Sequence, residues 1–367
     1  MIEFIPQIPE TRVANFVRIR RERRLPIPGE VAGGVGMRIG AQDVIARAYP
    51  PKMRRALSLT RVIGVREADV PKRLLKQVGD PVEAREIIIA KPISLGVQRL
   101  VYRAPEAGHI AAIQGSWMIL DLYGPPADVL ALYRGTIVGI TPRQAATVEA
   151  QGALVQGVWG SGKEAVGVIK VFTRAPDAIL DAKEVADDTH GSILVAGGGM
   201  TAAALKRANE LNAAGIVVGS LLPELRAQAV SMRVPVLVTE GFGKVPMSAP
   251  VFELLSALNG QEAALNARYQ PRGRGATRPE LFVPLMVSRI QQSDQASEAK
   301  RPAVEPGARV RGACQPYLGR VGKLPQEFAL QWLPTEAGTE LPAVNVEWED
   351  APGTPELVPW TNLELIG

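Results

Sequence analysis

The chain has 367 residues, 46% hydrophobic but only 5% aromatic, with 36 Gly and 30 Pro. This predicts two or three domains with aliphatic cores, many turns and short strands. One cysteine, Cys314, excludes an intrachain disulfide, and two histidines, His109 and His190, leave no zinc pattern. The start, MIEFIPQIPE, lacks a signal peptide's charged and apolar regions, and the weakly apolar run 194–205 is too short to span a bilayer. The expectation is a cytoplasmic protein without a membrane partner. Net charge is +5, yet residues 1–99 carry 19 Lys/Arg against 10 Asp/Glu and the rest 23 against 27, so the basic excess sits at one end.

The densest basic stretch is 17–26, with Arg18, Arg20, Arg21, Arg23, Arg24 and one glutamate. Read as a basic arm, these arginines are candidate phosphate contacts whose binding would fall with salt. A solvated strand edge is the alternative. Next comes a repeated pattern. Pro26-x-x-Gly29-x-Val31 recurs as Pro105-x-x-Gly108-x-Ile110, with an echo at Arg134-Gly135-Thr136-Ile137. VGMRIGAQDVIA (35–46) recurs 43 residues later as VGDPVEAREIII (78–89). Glycine supplies a tight turn and apolar residues alternate along a short strand. Between the copies, 56–77 predicts two short helices with apolar faces at Leu57, Val62 and Ile63 and at Val70, Leu74 and Leu75.

This PxxGxV, Gly-turn, strand pattern resembles the biotinyl/lipoyl barrel-sandwich hybrid over about 25–50 and 78–140. The resemblance implies a β domain with a helical insertion. At the offset of that family's modified lysine stands Lys52, followed by Met53. Pro50-Pro51 precede it where the family has a small residue and a methionine, so biotin or lipoate on Lys52 is not expected and no cofactor is assigned.

Further on, Gly157–Lys163 approaches a phosphate-binding loop. Glu164 replaces the magnesium-holding hydroxyl and a strand pattern follows, so a glycine hairpin is expected instead of a nucleotidase loop. Strands at 193–199, 215–220 and 234–241 alternate with helices at 201–213, 223–232 and 249–260, and further strands follow at 262–268 and 281–287. This predicts a parallel sheet covered by helices. Gly197-x-Gly199 before Thr201, and the loop carrying Thr239, Glu240 and Lys244, are candidate ligand-binding groups because open α/β sheets bind at strand carboxyl ends. The segment 266–278, with Arg272 and Arg274, has a composition suited to single-strand contacts.

A polar linker at 288–307 precedes short strands with glycine turns. Val310-Arg311-Gly312, Pro316-Tyr317-Leu318-Gly319, Val321-Gly322 and the closing Val358-Pro359-Trp360-Thr361-Asn362-Leu363-Glu364 resemble a KOW module, an SH3-like barrel. The resemblance implies RNA, transcription or translation partners, with Arg311, Tyr317, Arg320 and Trp360 as candidate contacts. Residues 301–367 carry 5 Lys/Arg against 9 Asp/Glu, which makes a protein partner an equal expectation. The whole order resembles uncharacterised bacterial proteins combining these two barrels, and implies no activity.

The expected fold is therefore α+β and multidomain: a barrel-sandwich-hybrid-like β domain over 1–175 with a helical insertion at about 56–77, a small α/β parallel-sheet unit over 176–287, a linker over 288–307, and a KOW/SH3-like barrel over 308–367. No metal site and no complete catalytic set is present. The expected function is a non-enzymatic adaptor or scaffold binding RNA or a transcription- or translation-associated partner through the barrel and the basic arm. A small-molecule enzyme or sensor centred on the α/β unit is the alternative.

Overall fold

A computed structural model describes residues 10–11, 13–93, 98–268, 278–285, 306–314, 316–327, 329–334 and 340–366. Strand accounts for 49% and helix for 15%, a β-rich α+β protein. The expected contacts Arg272 and Arg274, and nearly all of the expected linker, lie outside the described residues.

After β1 (Glu10–Thr11), the first β unit contributes β2 (Val13–Arg24), β3 (Glu30–Val31), β4 (Arg38–Ile39) and β5 (Val44–Ala48). The chain then leaves to form β6 (Pro51–Ser58), α1 (Leu59–Ile63), α2 (Val70–Arg73), β7 (Pro81–Val82), β8 (Ile87–Ile93), β9 (Gln98–Arg103), β10 (Gly108–Gln114) and β11 (Trp117–Tyr123). It returns as β12 (Ala127–Leu130), β13 (Gly135–Thr141) and β14 (Ala145–Gln156). β12 pairs antiparallel with β5, so everything from β6 to β11 is inserted into one hairpin of the first unit.

The inserted segment repeats the frame of its host. β4 pairs with β13 as β7 pairs with β10. β2 pairs with β14 as β6 pairs with β11. Gly36 N donates to Ile137 O at 2.7 Å, and Gly79 N to Ile110 O at 2.8 Å. Ala131 N donates to Asp43 O and Ala104 N to Glu86 O, each at 2.8 Å. Both hairpins bulge one residue after these isoleucines. Gly135 and Gly108 are required in both copies, because a Cβ would lie 2.1 Å from Glu149 O and 2.3 Å from Asp121 O. The 43-residue repeat is thus a structural duplication, one copy nested in the other, with separate cores around Ile137 and Val148 and around Ile110 and Leu120.

The expected helical insertion changes meaning accordingly. Residues 56–58 belong to β6, and the two short helices join β6 to Leu74, which bridges to Ile89 as Val31 pairs with Ala46. Leu59, Ile63 and Val70 are buried, whereas Val62 and Leu75, both expected inside, are 37% and 60% exposed.

The central unit comprises β15 (Trp159–Gly160), β16 (Glu164–Val171), β17 (Ile179–Leu180), β18 (Ser192–Ala196), β19 (Gly199–Met200), α3 (Ala202–Glu210), β20 (Gly215–Leu221), α4 (Arg226–Ser231), β21 (Val236–Phe242), α5 (Ala249–Ala257), β22 (Glu262–Asn266) and β23 (Glu280–Pro284). β16, β18, β20 and β21 run parallel. Alternate residues face opposite layers. Leu194, Ile216 and Val236 pack with Ala204, Leu205 and Ala208 of α3, and Ile193, Val217 and Leu237 pack with Val251 and Leu255 of α5. β16 pairs with β18, so the sheet crosses the boundary expected at 175. The expected hairpin at 157–163 does not form, since β15 pairs with β21 while β16 lies between β18 and β22.

The C-terminal unit has β24 (Arg309–Gly312), β25 (Val321–Lys323), β26 (Gln331–Pro334), β27 (Glu340–Trp348), β28 (Glu356–Pro359) and β29 (Leu363–Ile366), with a 3₁₀ turn at Trp360–Asn362. Its core, including Val310, Val344, Trp348 and Trp360, is its own. β1 pairs parallel with β29.

Candidate functional site

The arginine cluster forms no arm. It lies in β2, paired along its length with β14, and strand alternation divides it. Arg21 and Arg23 turn toward the central unit. Arg21 donates to Glu280 at 2.7 Å from Nε and 2.6 Å from Nη2. Tyr133 Oη donates to Glu280 Oε1 at 2.6 Å and accepts from Asn266 Nδ2 at 3.2 Å. Burial, reinforced by the Glu280 charge, pushes the Tyr133 hydroxyl far above its ordinary range, so it stays a donor. Arg23 clamps Glu164 at 2.7 and 2.8 Å and donates to Leu130 O at 3.0 Å. Burial works to raise the Glu164 pKa, but the hydrogen bonds and charge of Arg23 outweigh it and the net shift is downward. Arg21 and Arg23 therefore join the first β unit to the central sheet.

Arg18, Arg20 and Arg24 turn outward. Glu149 holds Arg20 Nε at 2.8 Å and Arg18 Nε at 3.9 Å, and Glu22 holds Arg24 Nε at 2.8 Å. Register extends this face across four strands in the row Arg38, Thr136, Glu149, Arg20. Arg134 stands two residues before Thr136. Neither Arg38 nor Arg134 has an ion pair among the described residues. Five arginines thus share this face with two glutamates, Glu22 and Glu149.

The face ends at a fork. One edge of β14 serves two partners, with Ala145–Glu149 pairing with β13 and Gly152–Gln156 with β23. Where the partners separate, an open cleft of about 940 Å³ appears, lined among others by Arg38, Asp43, Arg134, Thr136, Gln151 and Glu262.

The carboxyl end of the parallel sheet is closed by the chain itself. Gly197 N donates to Thr173 Oγ1 at 2.8 Å, Gly198 N to Ala178 O at 2.8 Å, and Thr201 N to Leu180 O at 3.1 Å. A Cβ at Gly197 would lie 2.3 Å from Ala175 O, and one at Gly198 2.3 Å from Asp177 O. These glycines, with Gly199 in β19 pairing with β17, admit a crossing backbone where a ligand was expected. Thr201 Oγ1 caps α3 through Ala204 N at 3.2 Å. Glu240, 2% exposed, accepts from Ser248 N at 3.1 Å and from Arg311 Nη1 at 2.5 Å. Arg311 Nη1 also donates to Thr239 O at 2.9 Å, and Nη2 to Glu364 Oε2 at 2.5 Å. Arg278 bonds the same Glu364.

Two separate expectations therefore meet in one buried contact. Glu240, expected to meet a ligand, and Arg311, expected to meet RNA, neutralise each other between the central and C-terminal units. Trp360 is 1% exposed and belongs to the core. Tyr317 stacks on Trp348 with centroids 5.7 Å apart. Arg320 lies over the same indole at 4.6 Å and pairs with Asp350 and Glu356. Lys244, with Leu318 and Arg320, borders a cavity of about 350 Å³ between the two units. Lys52 lies within β6, 3.5 Å from Glu106, and not at a hairpin tip. Among the described residues no cluster of His, Cys, Asp and Glu could hold a metal, and no helix is long and apolar enough to cross a membrane.

Sequence reasoning missed Arg38, Arg134, Glu149, Glu164 and Glu280. Arg134 adjoins a repeated glycine and Arg38 follows one by two residues, which was the available signal. Comparison with family models, with curated proteins and with solved structures found no match to this chain.

Proposed function

We propose that the chain is a non-enzymatic adaptor that holds RNA by its phosphate backbone on the outward face of β2, β14, β13 and β4. The observation that carries this reading is the face itself, where Arg18, Arg20, Arg24, Arg38 and Arg134 outnumber Glu22 and Glu149. Cations laid along a strand can follow a phosphate chain, and binding then releases counterions. Four of the five arginines sit on paired strands, which hold charges in place better than a loop, and Arg134 immediately precedes β13. The resemblance of the C-terminal unit to KOW modules supports the same class of partner. The closed carboxyl end of the parallel sheet disfavours the alternative of a small-molecule enzyme centred there.

The test is binding of full-length protein to single-stranded RNA over a salt series. The expected slope of log K against log salt is about −0.7 per phosphate contacted. Replacing Arg18, Arg20 and Arg24 together by Ala flattens it by about 2 units. An unchanged slope, or no binding at low salt, overturns the reading.

A further inference from the structure

We propose that the cleft at the fork of β14 is a binding site for the phosphoryl group of a nucleotide-sized ligand, anchored by Arg38 and Arg134. The cleft shares Arg38 and Arg134 with the face proposed to hold RNA, and goes beyond that reading in giving these two arginines a discrete phosphoryl ligand of their own. Its volume, about 940 Å³, is at the upper end of the range for small-ligand sites. Arg38 is the cross-strand partner of Thr136, Arg134 stands two residues before Thr136 just outside β13, and all three line the cleft. Two guanidinium groups match the double charge of a terminal phosphate and the hydroxyl of Thr136 adds a donor. Gln42, Asp43, Glu149 and Glu262 also line the cleft and supply acceptors for hydroxyl or amino groups of the remainder.

The nested duplication acts as an internal control. Positions related by the repeat share hydrogen bonds, bulges and glycines, so whatever the frame requires appears twice. The counterparts of Arg38 and Arg134 are Pro81 and Ala107. The nested copy builds the same hairpins without either arginine. The frame therefore does not need them, and they occur only in the copy that borders the cleft. Of the carboxylates that line the cleft, Glu149 is taken by Arg18 and Arg20, and Asp43 accepts from Gly40 N at 2.8 Å.

The test titrates full-length protein with adenosine 5′-monophosphate and with adenosine, followed by calorimetry. The nucleotide binds and adenosine does not. Replacing both Arg38 and Arg134 by Ala weakens nucleotide binding by at least roughly tenfold, and replacing both by Lys weakens it less, because the bidentate fork is lost but the charge is kept. The melting temperature is unchanged in both, which separates lost binding from lost folding. Equal binding of nucleotide and adenosine, no binding at millimolar concentration, or insensitivity to the double replacement overturns the proposal. A short RNA with a 5′-phosphate, compared with its 5′-hydroxyl form, then tells a strand end from a free nucleotide as the source of the phosphoryl group. Arg24→Ala, whose side chain bonds Glu22 and Gln144 and none of the cleft residues, lowers the RNA salt slope and leaves mononucleotide binding intact, so failure of the RNA face and failure of this site are told apart.

Discussion

Strands β2 and β6 hold the same place in the two copies of the duplicated unit, and both are basic. Arg20 pairs with Glu149 across one, and Arg54 pairs with Asp121 across the other, in matching register. The next residue behaves differently. Arg21 lies against Glu280, which is only 2% exposed, while its counterpart Arg55 is exposed. The cause is what packs on the strand. β2 abuts the central sheet through Tyr133, Asn266 and Glu280, whereas most of β6 stays open. Identical side chains in identical backbone frames thus become a joint in one copy and solvated surface in the other.

Arg21→Ala should show the largest effect, since it leaves the Glu280 carboxylate buried without its cation. The expected loss is about 3–5 kcal/mol by denaturant unfolding. Arg55→Ala, its counterpart, should stay within about 0.5 kcal/mol. Equal losses would break the comparison. Gly135→Ala and Gly108→Ala come next, at about 1–3 kcal/mol each, because both push a methyl into a partner-strand carbonyl. Hydrogen exchange should locate the first around β13 and β14 and the second around β10 and β11. A smaller, pH-dependent effect belongs to Glu164. Its pKa is lowered in the folded protein, so its stabilisation is complete above its unfolded value and disappears as pH falls through the folded one. Wild type should therefore exceed Glu164→Gln in stability at neutral pH, and the gap should close in acid. Asp121, lowered chiefly by its hydrogen bonds to Arg54, should behave with the same sign in the nested copy, and Asp121→Asn should move the melting point least.

The repeat was legible because Gly36 and Gly79 are demanded by their positive φ, 91° and 93°, and Gly108 and Gly135 by backbone approach, so each pair leaves a mark at matching places. Nesting was not legible. Residues 51–58 begin with proline and carry Lys52, Arg54 and Arg55, which resembles a loop, yet they form the strand that completes the inner copy. The strand pattern of the parallel sheet was readable because its strands are buried on both faces. The basic stretch at 17–26 misled because charge was counted without the period of two that sends alternate arginines to opposite faces. Arg311 and Glu240 lie 71 residues apart and meet only through the docking of separate units, which no local pattern records.

Nesting also orders assembly. The inner copy is one continuous segment, whereas β5 and β12 of the outer copy are separated by it. Gly124 N reaches Pro50 O at 2.8 Å, so the folded inner copy brings its own ends together. Until that happens, pairing β5 with β12 must close a long flexible loop at an entropic cost. Afterwards the same pairing is almost a short hairpin. The inner copy should therefore form first and serve as the nucleus for its host, with the outer copy's strand pairing appearing as a later, dependent phase of refolding.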